Sequence, residues 1–281
     1  MAIDPARAIG AVLPERELTW TASDVLLYHL ALGAGDDDLR YVYERDLHVL
    51  PTFAVVTPTL HETRPPTFAM PGIEVDLAAA LHGRQELVVH RPLPVDGKAR
   101  ERSSVADVQD KGSAAVIVVE AHTVDPAGEP LFTTRSSIFV RGEGGFGGQR
   151  GASTRVPVPA REPDAVVLSP TWPQQALWYR LCGDRNPLHI DPAFAARAGF
   201  PRPILHGLCT YGVVCKAAVD ALLDGDVARV AGYSARFAGV VFPGETLRTR
   251  VWVEADRLVL TASVVERDDA PALADTVLTL R

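Results

Sequence analysis

The sequence predicts an α+β chain made of two related halves, each a helix followed by a run of strands. Three observations carry this: a glycine- and proline-rich stretch near the middle, a helical pattern early in each half, and blocks rich in β-branched and aromatic residues after it. The middle stretch, RGEGGFGGQRGASTRVPVPAREP, covers residues 141–163, with six glycines between Gly142 and Gly151 and then three prolines. Such a stretch cannot propagate a helix or a central strand and reads as a linker. It divides the chain into an N-terminal repeat at 1–141, a linker at 142–163 and a C-terminal repeat at 164–281.

In the first half TASDVLLYHLALG (21–33) has helical periodicity behind a Thr/Ser start signal. Strands are expected near 86–91, 98–109, 113–124 and 131–140. In the second half SPTWPQQALWYRLCGD (169–184) reads as an amphipathic helix, and strands follow at 227–240, 245–255, 257–266 and 273–280. ETLRTRVWVEA (245–255) shows the β-branched and aromatic enrichment of a strand. The tripeptide LHG occurs in both halves, at 81–83 and 205–207. The shared order of helix, LHG and strands points to duplication. The halves differ in one respect: after the second LHG comes the helix-like GLCTYGVVCKAAVDALLDGD, whereas the first leads almost directly into a strand.

Composition narrows the function. Hydrophobic residues make up 47% and charged residues 22%, the balance of a globular protein. No apolar run approaches the roughly 18 residues of a membrane span, so no membrane partner is expected. A net charge of -7 argues against a nucleic-acid binder, which would show a basic face. Three cysteines, Cys182, Cys209 and Cys215, form no paired metal-ligand spacing and read as free thiols. The start, MAIDPARAIG, does not resemble a secretory signal, and the final LTLR is not a peroxisomal address. A cytoplasmic location is the expectation.

Chemistry concentrates in LCGDRNPLHID (181–191), where Asp184, Asn186 and His189 crowd around Pro187. Pro187 disfavours helix for Asn186, so Asp184 to His189 should form a loop. A short helix should follow through DPAFAARAG, capped by Asp191, with Pro192 first and Gly199 as its stop. The loop can then point Asp184 and His189 into one space. A carboxylate and an imidazole sharing one water can take a proton from it and return a proton elsewhere. Asn186 would orient the water or the loop. Gly207, at the start of the next helix, offers an unpartnered N–H to a ligand oxygen, an oxyanion hole in outline. His206 beside it reads as a capping or packing residue. Two ligands without a third close by make a poor zinc site, so no metal is expected.

The segment YRLCGDRNPLHIDPAFAARAGFPRPILHGLCTYG (179–212) resembles the signature of the MaoC-like, R-specific 2-enoyl-CoA hydratases, among them the hydratase 2 domain of peroxisomal multifunctional enzymes type 2. LPTFAVV (50–56), RPLPVDGKARERSSVADVQDKGS (91–113), GEGGFGGQR (142–150) and ARFAGVVFPGETL (235–247) are similar to it as well. The resemblance implies a double hot-dog fold, two tandem curved antiparallel sheets each around a helix, with the N-terminal helix reduced. It implies hydration of trans-2-enoyl-CoA to (3R)-3-hydroxyacyl-CoA. Asp184, His189, Asn186 and Gly207 would be catalytic. His82, Gly83, Lys111, Arg185, Pro187, Leu188 and Phe237 would contact the acyl-CoA. For His82 a hydrogen-bonded histidine in a turn, and for Phe237 plain core packing, are the competing readings. Coenzyme A would be part of the substrate, with no separate cofactor, and a homodimer is expected. The rivals are a hot-dog thioesterase, which would release free CoA, and a catalytically silent acyl-CoA-binding subunit, which the intact motif disfavours. Acyl chain length, branching and the physiological direction are left open.

Overall fold

A computed structural model of the chain describes residues 2–152 and 154–281. Its helices are α1 (Pro5–Ala8), α2 (Ala22–Ala31), α3 (Leu39–Val42), α4 (Gln175–Tyr179), α5 (Pro192–Arg197) and α6 (Gly207–Leu223). The strands of the first half are β1 (Arg16–Trp20), β2 (Ala69–Met70), β3 (Ile73–Glu74), β4 (Ala80–Val89), β5 (Gly97–Asp110), β6 (Ala114–Val124) and β7 (Pro130–Arg141). Those of the second are β8 (Ala165–Pro170), β9 (Val230–Phe237), β10 (Thr246–Val253), β11 (Arg257–Val264) and β12 (Ala270–Leu280).

Apart from the β2–β3 hairpin, these strands form one ten-stranded sheet in the order β1-β5-β6-β7-β4-β9-β12-β11-β10-β8. Every pairing within it is antiparallel. Read inward from its two edges, the order is the same in both halves. The duplication therefore stands on topology, and the two expected sheets meet edge to edge where β4 pairs with β9.

The second half wraps its strands around α6. Strand β10 shows why: Leu247, Thr249 and Val251 are buried at alternate positions while Arg248 and Arg250 point away. Of the 17 residues of α6, 11 are buried, as expected of a helix enclosed on most sides. Among its described residues the first half has no such helix. Between α3 and β4 the chain makes 3₁₀ turns at Pro51–Val55 and Leu77–Ala79 and the small β2–β3 hairpin. The core between the halves is aromatic: Tyr28 lies 5.5 Å from Phe53 and 6.2 Å from Tyr179, ring centre to ring centre.

Several expectations need correction. The first LHG lies inside β4, so the two copies of the tripeptide are not in equivalent places of the fold. The helix expected over 169–184 is only α4, extended by a 3₁₀ turn at Arg180–Cys182, because Ser169 and Pro170 belong to edge strand β8. The edge strands β1 and β8 were not anticipated. The glycine-rich stretch is not a loose tether: Asp110 accepts N–H bonds from Gly145 and Gly147, and Asp275 accepts one from Val156 at 3.0 Å.

The segment around 184 is fixed by the other half of the chain. Gly183 has φ of +103°, and a Cβ there would overlap the carbonyl oxygen of Thr59. Arg185 Nε donates to Glu62 O at 2.9 Å. Gly183→Ala should therefore lower unfolding stability by roughly 2–4 kcal/mol, from left-handed strain and forced separation together. Urea denaturation would read this as a lower midpoint at unchanged slope, and an unchanged midpoint would show that this contact does not hold the halves together.

Candidate active site

Local rules build the loop. Asn186 is extended (φ −56°, ψ 122°) ahead of Pro187, and Pro187–His189 forms a 3₁₀ turn. The Asp184 carboxylate accepts the Asn186 N–H at 3.1 Å, and Asn186 Oδ1 accepts the Leu188 N–H at 3.0 Å. Asp191 caps α5 through the Ala193 N–H at 2.8 Å, and Gly199 follows the helix with φ of +83°. The side-chain oxygen of Asn186 is thus occupied in shaping the loop.

His189 is buried, with Nδ1 2.9 Å from the Ile204 carbonyl oxygen. A carbonyl can only accept, so in the neutral ring Nδ1 carries the proton and Nε2 keeps a lone pair. The His206 ring stacks on it at 3.7 Å and 28°, with Nε2 placed 3.3 Å from the backbone oxygen of Asp184. His206 Nδ1 is buried without a partner. Burial lowers the pKa of His189, with Asp184 and Ile204 O opposing. Burial, then the neighbouring His189, takes His206 down to about 3. For Asp184 burial acts to raise the pKa, but His206, His189 and the Asn186 N–H outweigh it and hold the carboxyl low. Near neutral pH the site is an ionised carboxylate beside neutral imidazoles.

One ligand-type atom from each of Asp184, His189 and His206 lies within 4.8 Å of the others. The third potential ligand that the sequence reading did not find near Asp184 and His189 is therefore His206, whose ring is stacked on that of His189.

These groups open onto a cavity of about 940 Å³ walled by both halves. Asp184, Asn186, Leu188, His189 and Gly207 line it from the second half, with Phe237 on β9. His82, Gly83 and Lys111 line it from the first. Gly207 opens α6, where first-turn N–H groups face no helical carbonyl. A Cβ on Gly207 would stand 3.0 Å from the Phe237 ring, a second reason for glycine besides ligand approach. Phe237 in turn lies 4.9 Å from the His82 ring, so it both packs and faces the cavity. His82 Nε2 is 3.1 Å from Arg84 O, and burial takes its pKa down to about 4. Gly83 is the unpaired residue at a bulge of β4 against β7.

Arg185 and Pro187 are not on the cavity wall. Arg185 turns to Glu62 on the other half, and Pro187 acts by shaping the turn. Among the cavity residues that the sequence reading passed over are Tyr179, Arg84 and Arg236. Tyr179 is buried with an unpartnered hydroxyl, and Arg84 and Arg236 face each other across β4 and β9. Tyr179 and Arg236 lie inside blocks already singled out, but only the fold turns them toward the site.

Residues 18–142 match the domain described as MFE-2 hydratase 2 N-terminal domain, and residues 154–271 match the MaoC-like domain. The chain belongs to the MaoC-like hydratase 2 family. It is 53% identical over 283 residues to enoyl-CoA hydratase ChsH3 of Mycobacterium tuberculosis, covering 99% of each chain. Among solved structures, a MaoC-like dehydratase from Phytophthora capsici superimposes with a TM-score of 0.88 at 32% identity, covering 99% of this chain and 98% of that one. A second M. tuberculosis protein described as a double hot-dog fold aligns with a TM-score of 0.63 over 99% of this chain and 98% of its own, and at 14% identity it speaks to fold alone. The fold of this hydratase-family chain is the double hot-dog.

Because Asp184 supports the protonated form of His189, Asp184→Asn should lower the His189 pKa further. NMR titration of histidine ring signals would measure it. A rise on removing the charge would contradict this electrostatic account.

Proposed function

We propose that this chain adds water to trans-2-enoyl-CoA thioesters to give (3R)-3-hydroxyacyl-CoA, and catalyses the reverse dehydration. One observation carries the reading: an ionised Asp184 and the lone-pair nitrogen of His189 share a cavity with the free N–H end of α6 at Gly207.

A water donating to Asp184 and to His189 Nε2 is placed to attack C3 of the enoyl group. As its oxygen bonds to C3, His189 accepts one proton, and the neighbouring carboxylate stabilises the imidazolium. Electrons of the C2=C3 bond move toward the thioester, so charge develops on its oxygen, where the Gly207 N–H and the positive end of the 17-residue helix receive it. The imidazolium then returns its proton to C2. One water is consumed, with hydroxyl on C3 and hydrogen on C2. Both donor and dipole are in place beforehand, so they favour the transition state over the neutral thioester. His82, Gly83, Phe237 and Leu188 would hold the thioester and acyl chain. Arg16, Arg64 and Lys111, also on the cavity wall, supply cations for the phosphates of coenzyme A in an otherwise acidic chain.

A homodimer is the second part of the reading. Val166 and Leu168 on edge strand β8, with Trp172, Leu177, Trp178 and Leu181 just after it, are exposed apolar residues close together in sequence. A reducing compartment such as the cytoplasm fits three buried, unpaired thiols. No helix among the described residues is long and apolar enough to cross a membrane.

Loss of absorbance of the conjugated enoyl thioester reads the reaction, and a chirality-specific dehydrogenase reads the product. Asp184→Asn and His189→Gln should each cut kcat about 10²–10⁴-fold without unfolding the chain, with the wild type giving the 3R product. Free CoA released instead, detected by a thiol reagent, would mean a thioesterase. Sedimentation should give twice the 30.2 kDa chain mass, and Leu168→Arg should shift it toward monomer. A monomeric wild type would remove the dimer from the reading.

A further inference from the structure

Residues 142–151 are folded onto the β5–β6 hairpin around a single carboxylate. Asp110 ends β5 and is buried. Its Oδ1 accepts N–H bonds from Gly112 at 2.7 Å and Gly145 at 2.9 Å, and its Oδ2 accepts one from Gly147 at 2.7 Å. Its own N–H donates to Gln149 O at 2.9 Å, and Gly142 N–H donates to Ser113 O at 2.9 Å. Gly145 and Gly147 have φ of +83° and +82°, and a Cβ on Gly144 would fall among the backbone atoms of Gly112 and Ala114. This is a backbone nest, several N–H groups converging on one anion. Gly145, Gly112 and their neighbours hold the carboxyl down to about 2, so it is ionised at any working pH.

Residues on both sides of this nest line the cavity that holds Asp184: Gln109 and Lys111 on one side, Ala152 and Thr154 on the other. Lys111 Nζ also donates to Arg150 O, which ties the two sides together. An ammonium has three donors, so two are left for an anion. A tether would need none of these contacts.

We propose that Asp110 is a positioning residue for the polyanionic end of the thioester: its nest fixes the glycine-rich segment so that Lys111, Ala152 and Thr154 form the phosphate-facing rim of the cavity. This rests on the acyl-CoA reading above. Asp110 touches no reacting atom and acts through the loop. Its loss should weaken the hold on nucleotide phosphates and leave the proton chemistry at Asp184 and His189 alone.

Asp110→Asn keeps the size of the side chain but turns one acceptor into a donor facing N–H groups. Steady-state kinetics would be run on an enoyl-CoA and on the same enoyl group as a pantetheine thioester, which lacks the nucleotide. Calorimetry with free CoA supplies a readout independent of turnover. The expected result is a rise of about tenfold or more in KM for the CoA thioester and in Kd for CoA, the scale of one charge-assisted hydrogen bond. Turnover at saturation, and kcat/KM for the pantetheine thioester, should stay within about twofold of wild type by the same conversion. Gly147→Ala, where the space beside Cα is open but φ is +82°, keeps the carboxylate and strains only the nest, so it should give the same split at smaller size. An unchanged CoA affinity in both variants, or an equal loss on both substrates, would overturn the proposal. A wild-type chain that turns over neither thioester would count against the hydratase reading instead, and the calorimetry would still decide the role of the nest.

Discussion

Five cross-strand pairs, from Arg84 opposite Arg236 to Val88 opposite Gly232, fuse β4 to β9 and make two small sheets into one. The site lies at this seam. His82 and Gly83 stand just before the paired stretch of β4, and Phe237 stands just after that of β9, so side chains from different halves meet on the cavity wall, with the His82 and Phe237 rings 4.9 Å apart. The seam also sets two like charges opposite each other, which alone is unfavourable. Glu86 on β4 takes up Arg84 at 2.8 Å and Asp275 on β12 takes up Arg236 at 2.6 Å, so each arginine has its own carboxylate. Among the described residues only the second half has a long enclosed helix, α6, and its first residue, Gly207, lies on the cavity wall.

Burial then decides the protonation states. Taking charge out of water opposes ionisation of every group in the cluster, and it acts alone against none of them. The three imidazoles His82, His189 and His206 all move toward neutrality. Asp184 moves the other way because those rings and the Asn186 N–H surround it. The result is one negative charge among neutral acceptors, the state required for taking a proton from water. A cluster of charged imidazoles would have cancelled the carboxylate and left no lone pair at Nε2.

Legibility in the sequence followed the range of the interactions. The loop 184–191 was readable because its constraints act between near neighbours: Pro187 on Asn186, Asp191 on the first turn of α5, Gly199 at its end. Helix α2 was readable for the same reason, since Thr21 and Asp24 bond each other at 2.8 Å across three residues. Long strands carry enough β-branched residues to show themselves, whereas RELTW and AVVLSP are short edges whose identity depends on β5 and β10. The repeated LHG misled because three residues fit a strand as well as a helix start. The glycine run announced a break in regular structure, but its partner Asp110 lies 35 residues before Gly145, beyond any local rule. Arg185 looked like a ligand contact from its place in the motif, yet its partner is a carbonyl 123 positions away.

Charge is where these levels meet. Acids outnumber bases, 35 against 28, in a chain whose cavity nonetheless presents arginines and a lysine. Acids just behind the cavity wall account for part of the contrast, because three of them are bound in place and direct something else. Glu86 and Asp275 aim two arginines, and Asp275 also pins the linker at Val156. Asp110 is enclosed by backbone N–H groups and so adds little free negative field at the rim where Lys111 stands. On the cavity wall itself stand two carboxylates, Glu62 and Asp184, and Asp184 is the one beside His189. A net negative protein can thus present cations and the Asp184 carboxylate in the same cavity, because acids behind the wall, Glu86, Asp110 and Asp275, are each tied to donors.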